Sequence, residues 1–432
     1  MLSHKEIIEL RKNLLSPSLS LSYAEPLHIV KGHAQYLFDA NGNRYLDAVN
    51  NIQHVGHCHP KVAEAAKKQY DMLNTNTRYL DETIVRYAQA LTSHLPDGLD
   101  VCFFTNSGSE SNDLALRLAR IATQSEETIV LDGAYHGHVS SLIDISPYKH
   151  NGKGGSGPPS YVHTVPMPDT FRGKYRGESA SDRYLNELKN ILSKIRKEDK
   201  KVSAFMVESI MGCGGQLILP QNFLKQSFKL VRNAGGLCIA DEVQIGFGRV
   251  GTNFWGFETS GVIPDIVTMG KSMGNGHPLS AVVTTKKIAD KFNNGMEYFN
   301  SFGGNPVSCA VGNAVLNVIK EEGMQHNALE VGSYLLNELK SLQSQHSIIG
   351  DVRGMGLFIG IELIRDIKNL QPADTEATMI INQMKDQKIL LSTDGPDHNV
   401  IKIKPPMIFN RENANELILK LSDVLGNIDY EK

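Results

Sequence analysis

A single lysine, Lys271, stands between an apolar run and a glycine-rich turn in IVTMGKSMGNGHP, residues 266–278. Three roles are open to it. It could end a nucleotide-binding P-loop, but that motif requires a glycine five positions before Gly270, where this chain has Asp265. It could extend from the end of a strand into solvent. It could instead form an imine with a carbonyl compound, because an amine in a partly desolvated pocket stays nucleophilic.

Three other groups along the chain suit imine chemistry. Asp241 ends the apolar run in LCIADE, where its carboxylate could balance the charge of a pyridinium nitrogen. The stretch Ser107-Gly108-Ser109 follows the apolar run VCFFTN and begins a helical pattern, and the first N–H groups of a helix favour anions. Tyr135 offers an aromatic face. A lysine, a carboxylate, an anion cradle and a flat neighbour are what pyridoxal phosphate needs, so the combination predicts a site for this cofactor.

Each of these groups also has an ordinary structural explanation. Asp241 could cap a loop at the end of its strand. Ser107 and Glu110 match a capping box, in which each side chain bonds the backbone N–H group of the other residue. Tyr135 could be packed like any other aromatic residue. The order of the groups along the chain, each at the end of a successive apolar run, favours the cofactor site.

The apolar runs that precede these groups predict a sheet. Six short stretches are typical of buried strands: VCFFTN (101–106), TIVLDG (128–133), AFMVES (204–209), LCIADE (237–242), IVTMGK (266–271) and SAVVTT (280–285). Helical patterns over residues 111–122 and 222–234 lie between some of them. This alternation predicts an α/β fold with a mostly parallel sheet covered by helices. Ligands of such sheets bind beyond the carboxyl ends of the strands, where Ser107, Glu208, Asp241 and Lys271 lie.

The chain divides into three parts by pattern. We expect a large domain over residues 61–326 and a smaller α+β domain over residues 327–432, where a long helical pattern precedes VRGMGLFIGIEL and NVIKIKPPMIF. Residues 1–60 contain two strand-like runs joined by Asn-Gly, which is a hairpin signal, and we expect them to pack with the smaller domain. The Gly- and Pro-rich segment 147–177 is expected to be one long loop.

Composition excludes several classes of partner. The chain has 432 residues and a formal charge of -3 without long runs of one sign, so neither a nucleic acid nor a membrane is expected as a partner. Five isolated cysteines without C-x-x-C spacing argue against disulfides and fit the reducing cytoplasm. His54, His57 and His59 precede Pro60 and a helical pattern, so a structural turn is favoured there and no metal site is predicted.

From about Pro26 to Leu425 the sequence resembles the class III aminotransferase family of pyridoxal phosphate enzymes. The resemblance lies in LFDANGNRYLDAVNNIQHVGHCHP, FFTNSGSESNDLALRLAR, the Tyr135-His136-Gly137 turn, IADEVQIGFGRVG, IVTMGKSMGNGHP and NSFGGNPVSCA. It implies the PLP-dependent transferase fold, known as fold type I, with pyridoxal 5'-phosphate as the cofactor.

The resemblance also implies roles for individual residues. Lys271 would form the imine with the cofactor, and Asp241 would pair with its ring nitrogen. The other implied cofactor contacts are Gln244 near the phenolic oxygen, Ser107, Gly108 and Ser109 around the phosphate, Tyr135 stacked on the ring and Glu208 near the ring. Ser301 occupies the place of a family threonine that reaches the phosphate of the neighbouring subunit, which implies a homodimer with shared active sites.

The chain departs from the family pattern where amino-acid aminotransferases bind a substrate carboxylate. Those enzymes usually have E-P-x-Q-G-E where this chain has ESIMGC, residues 208–213, so Cys213 stands in place of a glutamate. Lys402 replaces the carboxylate-binding arginine, and Lys404 would face the same side of a strand. Because lysine is a common phosphate ligand, the two lysines favour a phosphorylated substrate. A solvated strand face is the alternative.

These departures, together with SSLIDISPYK, PDTFRGKYR, YFNSFGGNPVSCAVG, LLSTDGP and IKIKPPM, resemble one subgroup of the family, the ethanolamine-phosphate and 5-phosphohydroxylysine phospho-lyases. In that subgroup the external aldimine loses a proton, phosphate leaves, and the product hydrolyses to an aldehyde and ammonia, with Lys271 as the base. A true transaminase moving an amino group from an ω-amino or alanine-type donor to a 2-oxo acid is the alternative, because the cofactor residues serve both reactions.

The expected loop over residues 147–177 carries five basic side chains: Lys149, Lys153, Arg172, Lys174 and Arg176. One or two of them are candidates to contact the leaving phosphate. For any one of them alone, a solvent-exposed loop charge is the favoured interpretation.

Overall fold

A computed structural model describes residues 2–428. Its helices are α1 His4–Leu14, α2 Pro60–Met72, α3 Glu82–Thr92, α4 Gly108–Thr123, α5 Ser140–Asp144, α6 Pro147–His150, α7 Ala180–Lys197, α8 Phe223–Asn233, α9 Lys286–Phe292, α10 Pro306–Glu321, α11 Met324–Gln345, α12 Asp374–Asp386 and α13 Arg411–Gly426. Its strands are β1 Ile29–His33, β2 Tyr36–Asp39, β3 Arg44–Asp47, β4 Val101–Thr105, β5 Glu127–Leu131, β6 Val162–Val165, β7 Val202–Glu208, β8 Ile210–Met211, β9 Leu217–Ile218, β10 Leu237–Asp241, β11 Ile266–Met269, β12 Ser280–Thr284, β13 Ile349–Met355, β14 Phe358–Asp366, β15 Gln371–Pro372, β16 Ile389–Leu390, β17 Ser392–Asp394 and β18 Val400–Ile403.

Seven strands form the central sheet, in the order β4-β12-β11-β10-β7-β5-β6. Strand β12 runs antiparallel to both of its neighbours, and the other pairings in this sheet are parallel. All residues of β7 and β12 are buried, as continuous apolar runs require when helices cover both faces of a sheet. The six predicted runs form β4, β5, β7, β10, β11 and β12, so the predicted α/β fold with a mostly parallel, mixed sheet is confirmed.

Helix α4 packs on this sheet and extends the predicted pattern by three residues at its N-terminal end. Leu114, Ala115, Leu118 and Ala119 are buried, because positions four apart lie on the same face of a helix. That face contacts β7, β11 and β12. The helix therefore begins beside the carboxyl ends of the parallel strands, next to Ser107.

Two smaller sheets lie toward the chain ends. One contains β1, β2, β3 and β16, and the other contains β13, β14, β18 and β17, with β15 pairing with β14. Strand β16 pairs parallel with β3, so residues 389–390 are bonded to residues 46–47. The predicted domain limits at residues 60 and 326 stay predictions. The outer ends of the predicted units, residue 1 and residues 429–432, lie outside the described residues.

The segment 147–177 is not one uninterrupted loop. It begins with the short helix α6 and contains β6, which pairs parallel with β5 at the edge of the central sheet. The surrounding Gly and Pro residues hid this strand, because VHTV is only four residues long and pairs only with β5 in the sheet. Within residues 2–428, no helix is both long enough and apolar enough to cross a membrane.

Candidate active site

A cavity of about 220 Å³ opens at the carboxyl ends of β4, β7, β10 and β11. All the residues that the sequence assigned to the cofactor, except Ser301, line this cavity: Ser107, Gly108, Ser109, Tyr135, Glu208, Asp241, Gln244 and Lys271. Asn112, His136 and Val243 also contribute to its walls. The parallel sheet thus gathers groups that are far apart in the sequence, as the strand ends predicted.

Asp241 ends β10 and is only 5% exposed. Its Oδ2 accepts a hydrogen bond from Asn112 Nδ2 at 2.8 Å and lies 2.9 Å from His136 Nδ1, while the N–H of Val243 donates to Oδ1 at 3.1 Å. Because a carboxylate only accepts, His136 carries its proton on Nδ1. Three donors therefore hold the Asp241 side chain in one orientation in the wall of the cavity.

Asn112 and His136 were not singled out from the sequence. Asn112 lies in the second turn of α4, and its Nδ2 also donates to the backbone oxygen of His136 at 2.7 Å, so it joins the two elements that flank Asp241. The only sequence signal for either was position: His136 follows Tyr135, and Asn112 lies five residues after Ser107. Neither position indicates a contact with Asp241 without the fold.

The N-terminus of α4 forms one wall of the cavity. Ser107 is the N-cap, and its Oγ accepts from the N–H of Glu110 at 3.2 Å. The carboxylate of Glu110 accepts from the N–H of Asn106, not from that of Ser107, so half of the expected capping box forms. A β-carbon on Gly108 would lie 2.9 Å from Val243 Cγ1, so only glycine fits there. The free N–H groups of this first turn form an anion cradle.

Glu208 lies beside Asp241 at the end of β7 and is 3% exposed. Its Oε1 accepts from the N–H of Gly212 at 3.1 Å, and its Oε2 accepts from the N–H of Tyr135 at 3.4 Å. Burial raises the pKa of Glu208 to about 7, and the Asp241 carboxylate adds to this rise, while His136 and the two N–H donors oppose it. Glu208 is therefore close to half protonated at neutral pH.

Replacing Glu208 with glutamine should make the cofactor-free protein relatively more stable as the pH rises. A raised pKa means that the folded state holds the proton more tightly than the unfolded chain, so the stability that Glu208 contributes is present at low pH and lost as the pH passes 7. Between pH 5 and 8 the free energy of unfolding of Glu208→Gln should gain about 2 to 3 kcal/mol relative to wild type. Urea unfolding at both pH values measures it, and a pH-independent difference would contradict the raised pKa.

Lys271 directly follows β11 and begins the 3-10 helix Lys271–Gly274. Its φ of 29° lies in the left-handed region, which residues with a β-carbon rarely adopt and which is typical of functional sites. The residues before it form β11 and not a glycine-rich loop, which removes the P-loop interpretation. The side chain lines the cavity and is only partly exposed, so it does not simply extend into solvent.

Lys402 and Lys404 do not form a solvated strand face. Lys404 is 3% exposed, and its Nζ donates to Gln244 Oε1 at 3.0 Å and to Asp394 Oδ2 at 3.1 Å. Lys402 Nζ donates to the other oxygen of the same carboxylate, Asp394 Oδ1, at 2.9 Å. Burial lowers the pKa of Lys404, and Lys402 adds to this effect, whereas Asp394 opposes it. The paired lysines therefore connect to the cavity wall through Gln244.

Cys213 lies on the other side of Gln244, with its Sγ 4.0 Å from Gln244 Nε2. Burial raises the pKa of the Cys213 thiol to about 12, and the carboxylates of Asp394 and Glu208 contribute. The thiol is therefore neutral at physiological pH. A neutral group therefore stands where the resemblance to amino-acid aminotransferases would imply a glutamate.

The basic side chains of the segment 147–177 differ in their surroundings. Arg172 bonds Glu362 at 2.5 Å and Asp397 at 2.7 Å, and Lys174 bonds Glu187 at 2.6 Å, so their charges are matched by carboxylates. The Nζ of Lys149 lies 5.6 Å from the centre of the Tyr135 ring, beside the cavity. Arg176 donates to the backbone oxygen of Gly173 at 3.5 Å.

The histidines near residue 57 belong to separate contacts. His54 Nε2 bonds the backbone oxygen of Phe247 at 2.8 Å, His57 Nε2 lies 2.6 Å from Asp47 Oδ2, and His59 lies before α2. Over residues 2–428, no group of three or more His, Cys, Asp or Glu side chains is arranged to bind a metal ion.

The fold and the site together define an enzyme of the PLP-dependent transferase fold. A sequence profile described as aminotransferase class-III matches residues 21–425. The chain therefore belongs to the class III aminotransferase family, and its cofactor is pyridoxal 5'-phosphate. The cradle that only Gly108 permits, the fixed carboxylate of Asp241 and the amine of Lys271 are suited to the phosphate, ring nitrogen and aldehyde of this cofactor.

Two relatives illustrate the range of activities in the family. The chain is 50% identical over 439 residues to alanine-glyoxylate aminotransferase 2-like of Drosophila melanogaster, with coverage of 100% of this chain and 89% of the relative. It is 42% identical over 438 residues to ethanolamine-phosphate phospho-lyase homolog 1 of Caenorhabditis elegans, with coverage of 98% and 94%.

Two solved structures share the fold. A phospholyase from Arthrobacter in complex with phosphoethanolamine superposes with a TM-score of 0.93 at 37% identity, and the match covers 98% of this chain and 100% of that one. A PLP-bound amine transaminase from an uncultivated Pseudomonas species gives a TM-score of 0.87 at 25% identity, with coverage of 96% and 99%.

Proposed function

We propose that this enzyme is a phospho-lyase that eliminates phosphate and ammonia from ethanolamine phosphate or a close phosphorylated amine such as 5-phosphohydroxylysine. The observation that carries the proposal is the pair Lys402 and Lys404, which share Asp394 and of which Lys404 donates to Gln244 in the cavity wall. The relative and the solved structure whose names contain phospho-lyase support it.

The charge around Gln244 suits a phosphate more than an amino-acid carboxylate. Two lysines and one aspartate leave one net positive charge beside the cavity, and the neutral thiol of Cys213 adds no negative charge there. A glutamate at position 213 would cancel the remaining positive charge. A phosphate dianion is therefore favoured in this part of the site.

Several residues in and near the cavity have a task in this reaction. Pyridoxal phosphate, when bound, supplies a ring that withdraws electrons from the amine-bearing carbon of the substrate. Asp241, oriented by Asn112 and His136, keeps a negative charge where the ring nitrogen would lie. Lys271 Nζ removes the proton from the amine-bearing carbon. Lys402 stabilises the negative charge of the phosphate as its bond to the neighbouring carbon breaks.

Lys402→Met should raise the KM for ethanolamine phosphate about tenfold or more, because a charge-assisted contact with the phosphate is lost. The affinity for pyridoxal phosphate should change less than about twofold, since Lys402 does not line the cofactor cavity. Steady-state phosphate release and a cofactor titration measure the two effects. Lys368→Met, an exposed lysine of the same part of the chain, is the matched control. An unchanged KM in Lys402→Met would remove this residue from substrate recognition.

The proposed elimination, unlike transamination, does not require a 2-oxo acid as a second substrate. Purified enzyme with pyridoxal phosphate should release phosphate and acetaldehyde from ethanolamine phosphate without a 2-oxo acid. The relative named alanine-glyoxylate aminotransferase 2-like makes transamination the second candidate. If no phosphate appears, while alanine and a 2-oxo acid yield a new amino acid, the enzyme is a transaminase and the lyase proposal is wrong.

We also propose that the enzyme is a homodimer in which Ser301 reaches the cofactor phosphate of the partner subunit. Ser301 is exposed and does not line its own cavity. Its neighbour Phe302 is 71% exposed, and Leu80 is fully exposed. Arg78 connects these two segments, because it pairs with Glu297 and lies over the Phe299 ring. An apolar surface of this kind is typical of a subunit interface.

The variant Leu80→Glu/Phe302→Glu should therefore be a monomer that binds pyridoxal phosphate about tenfold more weakly, because it buries charges in the interface and withdraws Ser301. Light scattering gives the mass, and a cofactor titration gives the affinity. Leu419→Glu, which changes an equally exposed apolar side chain on α13, should stay dimeric. A monomeric wild-type enzyme would contradict the dimer.

The proposed setting is a reducing compartment such as the cytoplasm, with small molecules as the partners. Within residues 2–428 all five cysteines are free thiols, which fits such a compartment. The net charge of -3 gives no support for a nucleic-acid partner.

A further inference from the structure

A second cavity of about 480 Å³ lies next to the candidate active site. We call it the vestibule, and we define it by Asp132, Gly133, Tyr148, Lys149, Lys153 and His398. Asp132 and Gly133 follow β5, Tyr148 and Lys149 belong to α6, and His398 follows β17. None of these residues was assigned to the cofactor.

Aromatic side chains form the boundary between the vestibule and the active site. Tyr135, which lines the active-site cavity, meets Tyr148 of the vestibule edge to face, with ring centres 6.3 Å apart. Tyr148 in turn meets His398 at 6.4 Å. Lys149 Nζ lies over both tyrosine rings, 5.6 Å from Tyr135 and 5.5 Å from Tyr148. The vestibule therefore borders the active-site cavity, which we call the inner cavity, at Tyr135 and Tyr148.

The vestibule carries charges of both signs. Lys149 and Lys153 are exposed and provide positive charge, and Asp132 is exposed and provides negative charge. The N–H of Gly133 donates to Asp132 Oδ1 at 3.0 Å. The carboxylate can still accept a hydrogen bond from another donor. This arrangement complements a zwitterion, which has a carboxylate and an ammonium group on one carbon.

We propose that the vestibule binds the α-amino-acid end of a phosphorylated amine, with Lys149 and Lys153 holding the carboxylate and Asp132 the ammonium group. The inference rests on the proposed phospho-lyase function and specifies its substrate class. Ethanolamine phosphate ends at the carbon that carries the phosphate and cannot reach the vestibule. In 5-phosphohydroxylysine, two methylene groups separate that carbon from the amino-acid carbon, so its far end extends outward from the inner cavity.

The vestibule is less suited to the phosphate group itself. The phosphate is bonded to the carbon next to the reacting one, so it must lie in the inner cavity, on the side of Gln244 and the paired lysines. A phosphate dianion in the vestibule would also face the carboxylate of Asp132. Charge and geometry therefore assign the phosphate to the inner cavity and the amino-acid end to the vestibule.

The test compares two substrates on the holoenzyme. The ratio of kcat/KM for 5-phosphohydroxylysine to that for ethanolamine phosphate should fall about tenfold or more in Lys149→Met/Lys153→Met, and about fivefold in Asp132→Asn. Lys174→Met, which changes a lysine of the same segment that pairs with Glu187 outside the vestibule, should leave the ratio unchanged. Altered folding or cofactor content changes kcat/KM for both substrates by the same factor. The ratio of the two kcat/KM values therefore does not respond to them.

Calorimetry provides a readout that does not depend on turnover. Wild-type holoenzyme should bind 2-amino-5-phosphonopentanoate about tenfold more tightly than propylphosphonate, which lacks the amino-acid end, and the double variant should lose this preference. A wild-type enzyme that cleaves neither substrate refutes the phospho-lyase function but leaves the binding preference as a test of the vestibule. Equal losses for both substrates in the double variant, or equal affinity of wild type for the two phosphonates, overturns the inference.

Discussion

Lys271→Ala should lower phosphate release from ethanolamine phosphate by at least about 10³-fold, because the variant has no amine to remove the substrate proton. It should also lose the visible absorption band that a lysine imine gives with pyridoxal phosphate. The strained φ of 29° at this position supports a functional role, since no structural need for a lysine in the left-handed region is evident.

Lys286→Ala is the matched control. Lys286 begins α9 and pairs with Asp290 on the exposed side of that helix, so its loss should affect neither the rate nor the spectrum. Near-normal turnover or a retained imine band in Lys271→Ala would show that another amine does the chemistry. Added methylamine should restore part of the rate in Lys271→Ala, because a free amine can enter the space that the side chain leaves.

Asp241→Asn should lower kcat by about 10²-fold or more, because a neutral amide cannot balance a positive charge on the ring nitrogen. The substitution keeps the size of the side chain. However, Asn112, His136 and Val243 donate to the two carboxylate oxygens of Asp241, and an amide has only one oxygen to accept these hydrogen bonds. Cofactor affinity should therefore also fall.

The rate per bound cofactor and the thermal stability together distinguish a chemical role of Asp241 from a structural one. If Asp241 only fixed the loop after β10, Asn112→Ala would lower the thermal stability as much as Asp241→Asn and leave the rate per bound cofactor unchanged. We expect instead that Asp241→Asn lowers the rate per bound cofactor, with a smaller loss in Asn112→Ala. A rate within about threefold of wild type in Asp241→Asn would contradict the proposed role.

The part of the fold that lies in the central sheet was predictable because its strands are buried on both faces. Continuous apolar runs mark such strands, and the polar residue that ends each run marks the ligand edge. Strand β6 was not predictable in the same way. It is a four-residue strand at the edge of the sheet, in a segment rich in Gly and Pro, and it pairs only with β5.

The residues of the candidate site also fall into a predictable and an unpredictable group. Residues next to strand ends, such as Asp241 and Lys271, have a position in the sequence that predicts their position in the site. Asn112, His136 and Asp394 have no such position, and their importance comes from side chains that other elements bring within about 3 Å. Asp394 was visible only as part of LLSTDGP. Its contact with both lysines depends on the pairing of β17 with β18.

The pairing of β16 with β3 has a consequence for the order in which the site forms during synthesis. The cofactor-binding residues from Ser107 to Lys271 belong to a sheet whose last strand ends at Thr284. The paired lysines come more than a hundred residues later, and the N–H of Lys404 bonds the backbone oxygen of Ala48 at 2.9 Å, so the first and last parts of the chain must meet. A nascent chain can therefore assemble the cofactor-lining residues of its own subunit before Lys402 and Lys404 are in place. The two lysines of the proposed substrate-phosphate site are thus synthesised after a sheet whose strand ends already carry the cofactor-lining residues.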